Sequence, residues 1–167
     1  AYAIYKRRTL DPLPLVIIGK DGFKAEEVYE RAYKADVSTH VRFLGYVPED
    51  DLAQLLGLAY CLVYPSLYEG FGLPVIEAMA SGCPVISSNR TSLPEVAGDA
   101  AVLVDPEDTL QIATAIRDVT EKAGLRSSLS LAGLKRVKAF TWEKTAAEYL
   151  QTFKRAVEKN SKRNEAL

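Results

Sequence analysis

A chain of 167 residues with 48% apolar and 26% charged side chains has the length and usage of one globular domain, which excludes disorder as its dominant state and leaves no room for two full domains. Twenty-one Lys and Arg stand against 22 Asp and Glu, a net charge of −1, so the chain carries no general electrostatic footprint for nucleic acid. Its two cysteines, Cys61 and Cys83, cannot build a disulfide framework, and no C-x-x-C or Cys/His cluster suits zinc. No metal and a reducing, cytoplasmic location are the expectation; every apolar run falls far short of the ~20 residues that span a bilayer.

In chain order, residues 1–8 end in Lys6-Arg7-Arg8 and read as the last turns of a helix, as if the chain began within an element. Leu15-Val16-Ile17-Ile18 before Gly19 reads as a buried strand, residues 24–34 as a charged helix, and Val41-Arg42-Phe43-Leu44 before Gly45 as a second strand. A short helix over 48–58, a strand over 60–64, a helix over 74–80 and strands over 84–87 and 101–104 follow. Short apolar strands alternating with helices predict an α/β, Rossmann-like fold: a mostly parallel sheet with helices on both faces. From Pro106 the pattern is purely helical. One helix is expected to be capped by Asp105 and to run to Lys122, the next to cover 125–138, and a third to be capped by Thr141. Trp142, Ala146, Tyr149, Leu150, Phe153 and Val157 recur on that third helix at helical spacing, the usual mark of a core face. Residues 160–167 are polar and expected to fray. The whole chain, 1–167, is expected to form a single domain.

The richest local pattern is the run from Tyr64 to Gly82, in which a strand ends, a glycine-containing turn follows and Pro74 opens a helix. Ligands of open parallel sheets bind outside the carboxyl ends of the strands, where this turn lies. Gly70 and Gly72 permit close backbone approach, and the N–H groups of Phe71, Gly72 and Leu73 would stand at the positive end of a helix, suited to a phosphate or a sugar hydroxyl. Glu69 and Glu77 flank this turn and can reach one cleft. Ionised carboxylates only accept hydrogen bonds and so match the paired hydroxyls of ribose or hexose. On spacing alone, Glu77 complementing the helix dipole and Glu69 capping the turn explain the pair equally well.

Tyr64-Pro65-Ser66, Glu69-Gly70-Phe71-Gly72-Leu73-Pro74 and Glu77-Ala78-Met79-Ala80-Ser81-Gly82-Cys83-Pro84-Val85 together resemble the donor-binding signature of the family-four retaining glycosyltransferases, which have the GT-B fold. Val41 to Val47, Ser92 to Val96, Gly98 to Ala101 and Phe140-Thr141-Trp142 extend the resemblance over most of the chain, from about Leu15 to Phe153. It implies that Glu77 would bind the ribose of a nucleoside diphosphate sugar. Glu69, the residue assigned to catalysis, would contact the transferred sugar and help orient its anomeric carbon. Gly70 and the amides of Phe71, Gly72 and Leu73 would lie near sugar and diphosphate, and Gly45, Tyr46 and Val47 would flank the base. Likeness to bacterial-type mannosyltransferases around residues 43–51 and 92–101 favours mannose from GDP-mannose.

Family members of this type transfer a hexose with retention, generally without a bound metal or other cofactor. An arginine and a lysine meet the diphosphate from a loop whose segment is absent here. The expectation is therefore a donor-binding half that is inactive alone, able to self-associate through surfaces made for the other half. That N-terminal half would hold a glycan or lipid-linked glycan acceptor and could bring the protein to the inner membrane face.

Lys20, after the first strand, reads as a solvated lysine that could instead face the cleft, and His40, the single histidine, as a loop residue rather than a base. Cys61 and Cys83 read as packing residues; Arg90 and Thr91 lie on a loop that could border the donor. The competing readings are a noncatalytic Rossmann-like module that binds a nucleotide or a protein, and half of a sugar-nucleotide epimerase, although no acid/base constellation for the latter is visible. The absence of a G-x-G-x-x-G followed by an acidic residue disfavours a dinucleotide dehydrogenase.

Overall fold

The structure, a computed structural model, describes residues 1–164 apart from 21, 23 and 24, with side chains to residue 159. It runs α1 (Tyr2–Arg8), β1 (Leu15–Ile18), α2 (Ala25–Lys34), β2 (Val41–Gly45), α3 (Glu49–Leu58), β3 (Leu62–Tyr64), α4 (Leu73–Ala80), β4 (Val85–Ser88), α5 (Leu93–Ala97), β5 (Ala101–Val104), α6 (Thr109–Glu121), α7 (Ala123–Arg136) and α8 (Trp142–Asn164). Position 24, where α2 was expected to begin, lies outside the described residues. All strand pairs are parallel, as the alternation predicts, but the ladders form two groups, β1-β2 and β3-β4-β5.

The three-stranded group is sandwiched between helices, and its alternation shows directly how the two faces are sorted. Val85 and its neighbours Leu62, Tyr64, Ala101 and Leu103 pack toward Leu56, Val75, Met79, Leu93 and Val96, which come from α3, α4 and α5. Ile86, Val63, Val102 and Val104 point the other way, onto Tyr5, Ile112, Ile116, Val119 and Leu129 of α1, α6 and α7. A period of two along the strand thus feeds two separate apolar layers. Every residue of β4 is buried, as expected of a central strand in a doubly covered sheet.

Two expectations are corrected. The cap of α6 is Asp108, whose carboxylate accepts from the N–H of Leu110 and of Gln111, both at 2.9 Å. Asp105 is unavailable because its carboxylate already accepts from the Arg90 guanidinium and the Glu107 N–H, each at 3.0 Å. The backbone of α8 is helical through Asn164.

The second correction concerns the apolar stripe of α8, which is not core. Trp142 is 81% exposed and Val157 66%, and Tyr149, Leu150 and Phe153 are exposed as well. Periodicity reports that a helix has an apolar face; it does not say that the same chain covers it. The capping expectation for this helix does hold, since the Lys144 N–H donates to Thr141 Oγ1 at 3.2 Å.

Candidate functional site

The site begins where β3 ends. Tyr64, its last residue, is half-buried, and its hydroxyl donates to Glu69 Oε1 at 2.5 Å. Burial, the Glu69 hydrogen bond and the negative charges of Glu69 and Glu77, in that order, push the phenol up to about 12. The hydroxyl contacts Glu69 and lies within electrostatic reach of Glu77, so Glu69 and Glu77 stand near the same strand end rather than on opposite sides of the molecule.

The turn between them is built by backbone constraint. Gly72 has φ 108° and ψ 47°, a conformation that favours glycine, and it serves as the N-cap residue of α4 with no side chain to cap the helix. A Cβ on Gly72 would lie 2.5 Å from Leu93 Cδ2, so the turn is seated directly on the first residue of α5. The N–H groups of Phe71, Gly72 and Leu73 find no acceptor among the described residues. They stand at the positive end of α4, a standard anion-accepting arrangement. The Phe71 ring turns away to meet Phe140 edge-on, with centroids 5.9 Å apart.

The loop before α5 fastens the same turn from the side. Thr91 accepts from the Glu69 N–H at 3.1 Å, and the Ser92 hydroxyl lies within donating distance of the Glu69 carbonyl at 3.0 Å and the Phe71 carbonyl at 2.9 Å. Thr91 has φ 55°, a costly conformation for a β-branched residue that persists only where surrounding contacts hold it. Arg90 does not project freely from this loop: its guanidinium binds Asp105 at 3.0 Å and Glu107 at 2.8 Å. Ser87, in register with Tyr64, is fully buried with no partner for its hydroxyl among the described residues.

Gly45, Tyr46 and Val47 stand at the end of β2, in the other strand pair. Gly45 has φ 66° and its carbonyl accepts from the Gly19 N–H at 2.8 Å, which ties the two strand-end loops together. Lys20 is not simply solvated; its ammonium lies 5.1 Å from the centroid of the exposed Tyr46 ring. His40 lies apart from these groups, its Nδ1 paired with Thr39 Oγ1 at 2.9 Å. Among the described residues, no group of three or more His, Cys, Asp or Glu is placed to hold a metal ion.

These local features are matched by a family model. The model described as "Glycosyl transferases group 1" matches residues 1–136, more than half of the chain. The chain belongs to the group 1 glycosyltransferases. The O-antigen chain mannosyltransferase B of Escherichia coli is 38% identical to it over 154 residues, which are 92% of this chain and 40% of that protein. An MMP alpha-(1->4)-mannosyltransferase of Mycolicibacterium hassiacum is 36% identical over 113 residues, 65% of this chain and 28% of that protein.

Among solved structures, a sucrose-phosphate synthase from Thermosynechococcus elongatus superposes with a TM-score of 0.81 at 28% identity, over 93% of this chain and 41% of that one. HepE of Anabaena, solved with UDP and glucose, matches with a TM-score of 0.75 at 20% identity over 90% of this chain and 44% of its own. The architecture is that of a GT-B glycosyltransferase domain, and the chain spans less than half the length of these relatives.

Within this glycosyltransferase domain, sequence reasoning missed the parts played by Tyr64, Thr91 and Ser92 around Glu69. Tyr64 stands in the sequence as the end of a strand and the start of the signature, with nothing to pair it with Glu69, and Thr91 and Ser92 reach Glu69 across 22 and 23 residues of chain. Cys83 is buried and Cys61 partly so. Burial pushes the Cys61 thiol up to about 12 and the Cys83 thiol up to about 11. A raised thiol pKa keeps the reactive thiolate scarce at neutral pH. An aromatic disulfide reagent at pH 8 is therefore expected to label neither cysteine rapidly in the folded chain and both in denaturant; rapid labelling of the folded chain would contradict this burial.

Proposed function

We propose that this chain is the donor-binding half of a retaining hexosyltransferase, taking a nucleoside diphosphate sugar, with GDP-mannose the favoured donor. One observation carries the reading: Glu69, held by the Tyr64 hydroxyl at a strand end, lies beside a glycine turn whose free N–H groups open α4, the helix that carries Glu77. The mannosyltransferase names of the relatives support mannose as the sugar. In this reading Glu77 accepts from the ribose hydroxyls, Glu69 faces the transferred hexose, and the amides of Phe71 to Leu73 meet negative charge on the diphosphate. Charge develops on the departing diphosphate, so fixed donors at a helix end lower the barrier without reorganising. Tyr46, with Gly45 and Val47, flanks the base. An acceptor glycan belongs to the remaining part of a longer enzyme, and the uncovered stripe on α8 supports a packing surface for further protein.

Titration calorimetry of this chain with GDP, UDP and ADP tests the reading. Weak binding of at least one nucleotide is expected, and Glu77→Ala is expected to weaken it by about 1–3 kcal/mol, the loss of a charged hydrogen-bond partner. No heat with any of the three at millimolar concentration would defeat the donor-site reading; an unchanged affinity in Glu77→Ala would remove Glu77 from the ribose.

A further inference from the structure

We infer that Tyr64 is a positioning residue for the sugar subsite: its hydroxyl, donating to Glu69 Oε1 at 2.5 Å, pre-sets the Glu69 carboxylate so that Oε2 is the oxygen presented to the hexose. The inference rests on the donor-site reading above and deepens it.

Three observations lead there. First, Oε2 of Glu69 accepts no hydrogen bond among the described residues, so Tyr64 occupies one oxygen and leaves the other for a ligand. Secondly, the main chain of Glu69 is fixed independently of its side chain. Its N–H donates to Thr91 Oγ1 at 3.1 Å, and its carbonyl lies within donating distance of Ser92 Oγ at 3.0 Å. With the main chain held, the freedom left to Glu69 is that of its own side-chain torsions, and the Tyr64 hydroxyl restrains these. Thirdly, Thr91 holds φ 55° while making its bond, so backbone strain is tolerated in the element that fastens Glu69. Strain of this kind is found where the surroundings over-determine a conformation, and it clusters at ligand-binding sites.

The physical gain is preorganisation. A glutamate that swings freely must be ordered when the ligand arrives, and that entropic cost is subtracted from binding. A carboxylate already fixed through one oxygen avoids it. Tyr64 is suited to the task because burial and the two neighbouring carboxylates keep the proton on its oxygen throughout the ordinary pH range. It therefore remains a donor to Glu69. Phenylalanine at this position would fill the same space and leave Glu69 unrestrained.

The test compares two ligands on the same chain. Dissociation constants for GDP and GDP-mannose, and for UDP and UDP-glucose, are measured by NMR titration for the wild type, Tyr64→Phe, Glu69→Ala and the double variant. Tyr64→Phe is expected to leave the nucleoside diphosphate affinity within about twofold while lowering the ratio of sugar-nucleotide to nucleotide affinity about threefold to tenfold, the weight of one hydrogen bond. In the Glu69→Ala background, Tyr64→Phe is expected to change that ratio no further, because there is no carboxylate left to orient.

A ratio unchanged by Tyr64→Phe overturns the inference, and so does an equal weakening of both ligands, which is what a structural role would give. A Tyr64→Phe chain that fails to fold, judged by circular dichroism, overturns it too, since the hydroxyl would then belong to the scaffold. Absence of all binding to the wild type at millimolar concentration defeats the donor-site reading itself, whereas wild-type binding with an unmoved ratio defeats only the part given to Tyr64.

Discussion

Gly72→Ala is expected to destabilise this fold by about 2–6 kcal/mol, the sum of a backbone strain of about 1–3 and an overpacking cost of about 1–3. The strain arises because φ at Gly72 is 108°, a region that side chains with a Cβ rarely enter. The overpacking arises because the added Cβ would lie 2.5 Å from Leu93 Cδ2, and Leu93 is fully buried and has nowhere to retreat. Urea denaturation of the two chains measures the difference as a shift in midpoint at constant slope. Leu93→Val removes the offending Cδ2 while retaining a branched side chain, so Gly72→Ala should cost less in that background, with a coupling of about 0.5–2 kcal/mol. A loss below about 1 kcal/mol in the wild-type background would mean that the turn relaxes away from α5 at little cost. The same substitution should reach the candidate site, because the turn it pushes outward is the one Ser92 holds through the Glu69 and Phe71 carbonyls.

The elements themselves were legible in the sequence wherever apolar runs and breakers coincided. The apolar run 15–18 before Gly19 and the run 101–104 became β1 and β5 with the expected ends. Pro74 and Pro94 mark the first turns of α4 and α5, where proline costs nothing because that N–H has no intrahelical partner. The capping of α6 was misread because Asp105 and Asp108 are chemically equal candidates. The choice between them was made by Arg90, fifteen residues upstream, which engages Asp105. The apolar stripe of α8 was read correctly as a stripe and wrongly as core, since a helical period is the same whether the covering surface belongs to this chain or another.

The candidate site divides in the same way. Glycine at 72 is demanded by a local dihedral, so the turn could be found from residue types alone. The approach of Glu77 to Glu69 follows from a short helix returning its first turns to the strand end that precedes it. Tyr64 on Glu69, Thr91 on the Glu69 N–H and Ser92 beside the Glu69 and Phe71 carbonyls are pairings between groups with many other sequence-compatible partners. Only the packing of α5 against Gly72 selects them, and that packing is a property of the assembled sheet.

Met79→Ala carries the second large effect, about 2–5 kcal/mol, the usual loss when a buried methionine is cut back to alanine and a cavity remains. Met79 is 1% exposed at the seam between α4 and α7, inside the layer that also contains Val75, Leu56 and Leu93. Across that seam lies Gly133, where an added Cβ would meet Met79 Cγ at 3.1 Å and Cβ at 3.3 Å. Glycine inside α7 forgoes about 1 kcal/mol of helix propensity relative to alanine, and the closeness of Met79 accounts for its presence. Gly133→Ala should therefore be neutral or unfavourable in the wild type, where the propensity gain is cancelled by a displaced methionine. With alanine at 79 the Cγ is gone, and Gly133→Ala should become more favourable than in the wild type by about 1 kcal/mol. Thermal or urea unfolding of the four chains decides it. Additivity within about 0.5 kcal/mol would show that the two helices do not meet through this pair.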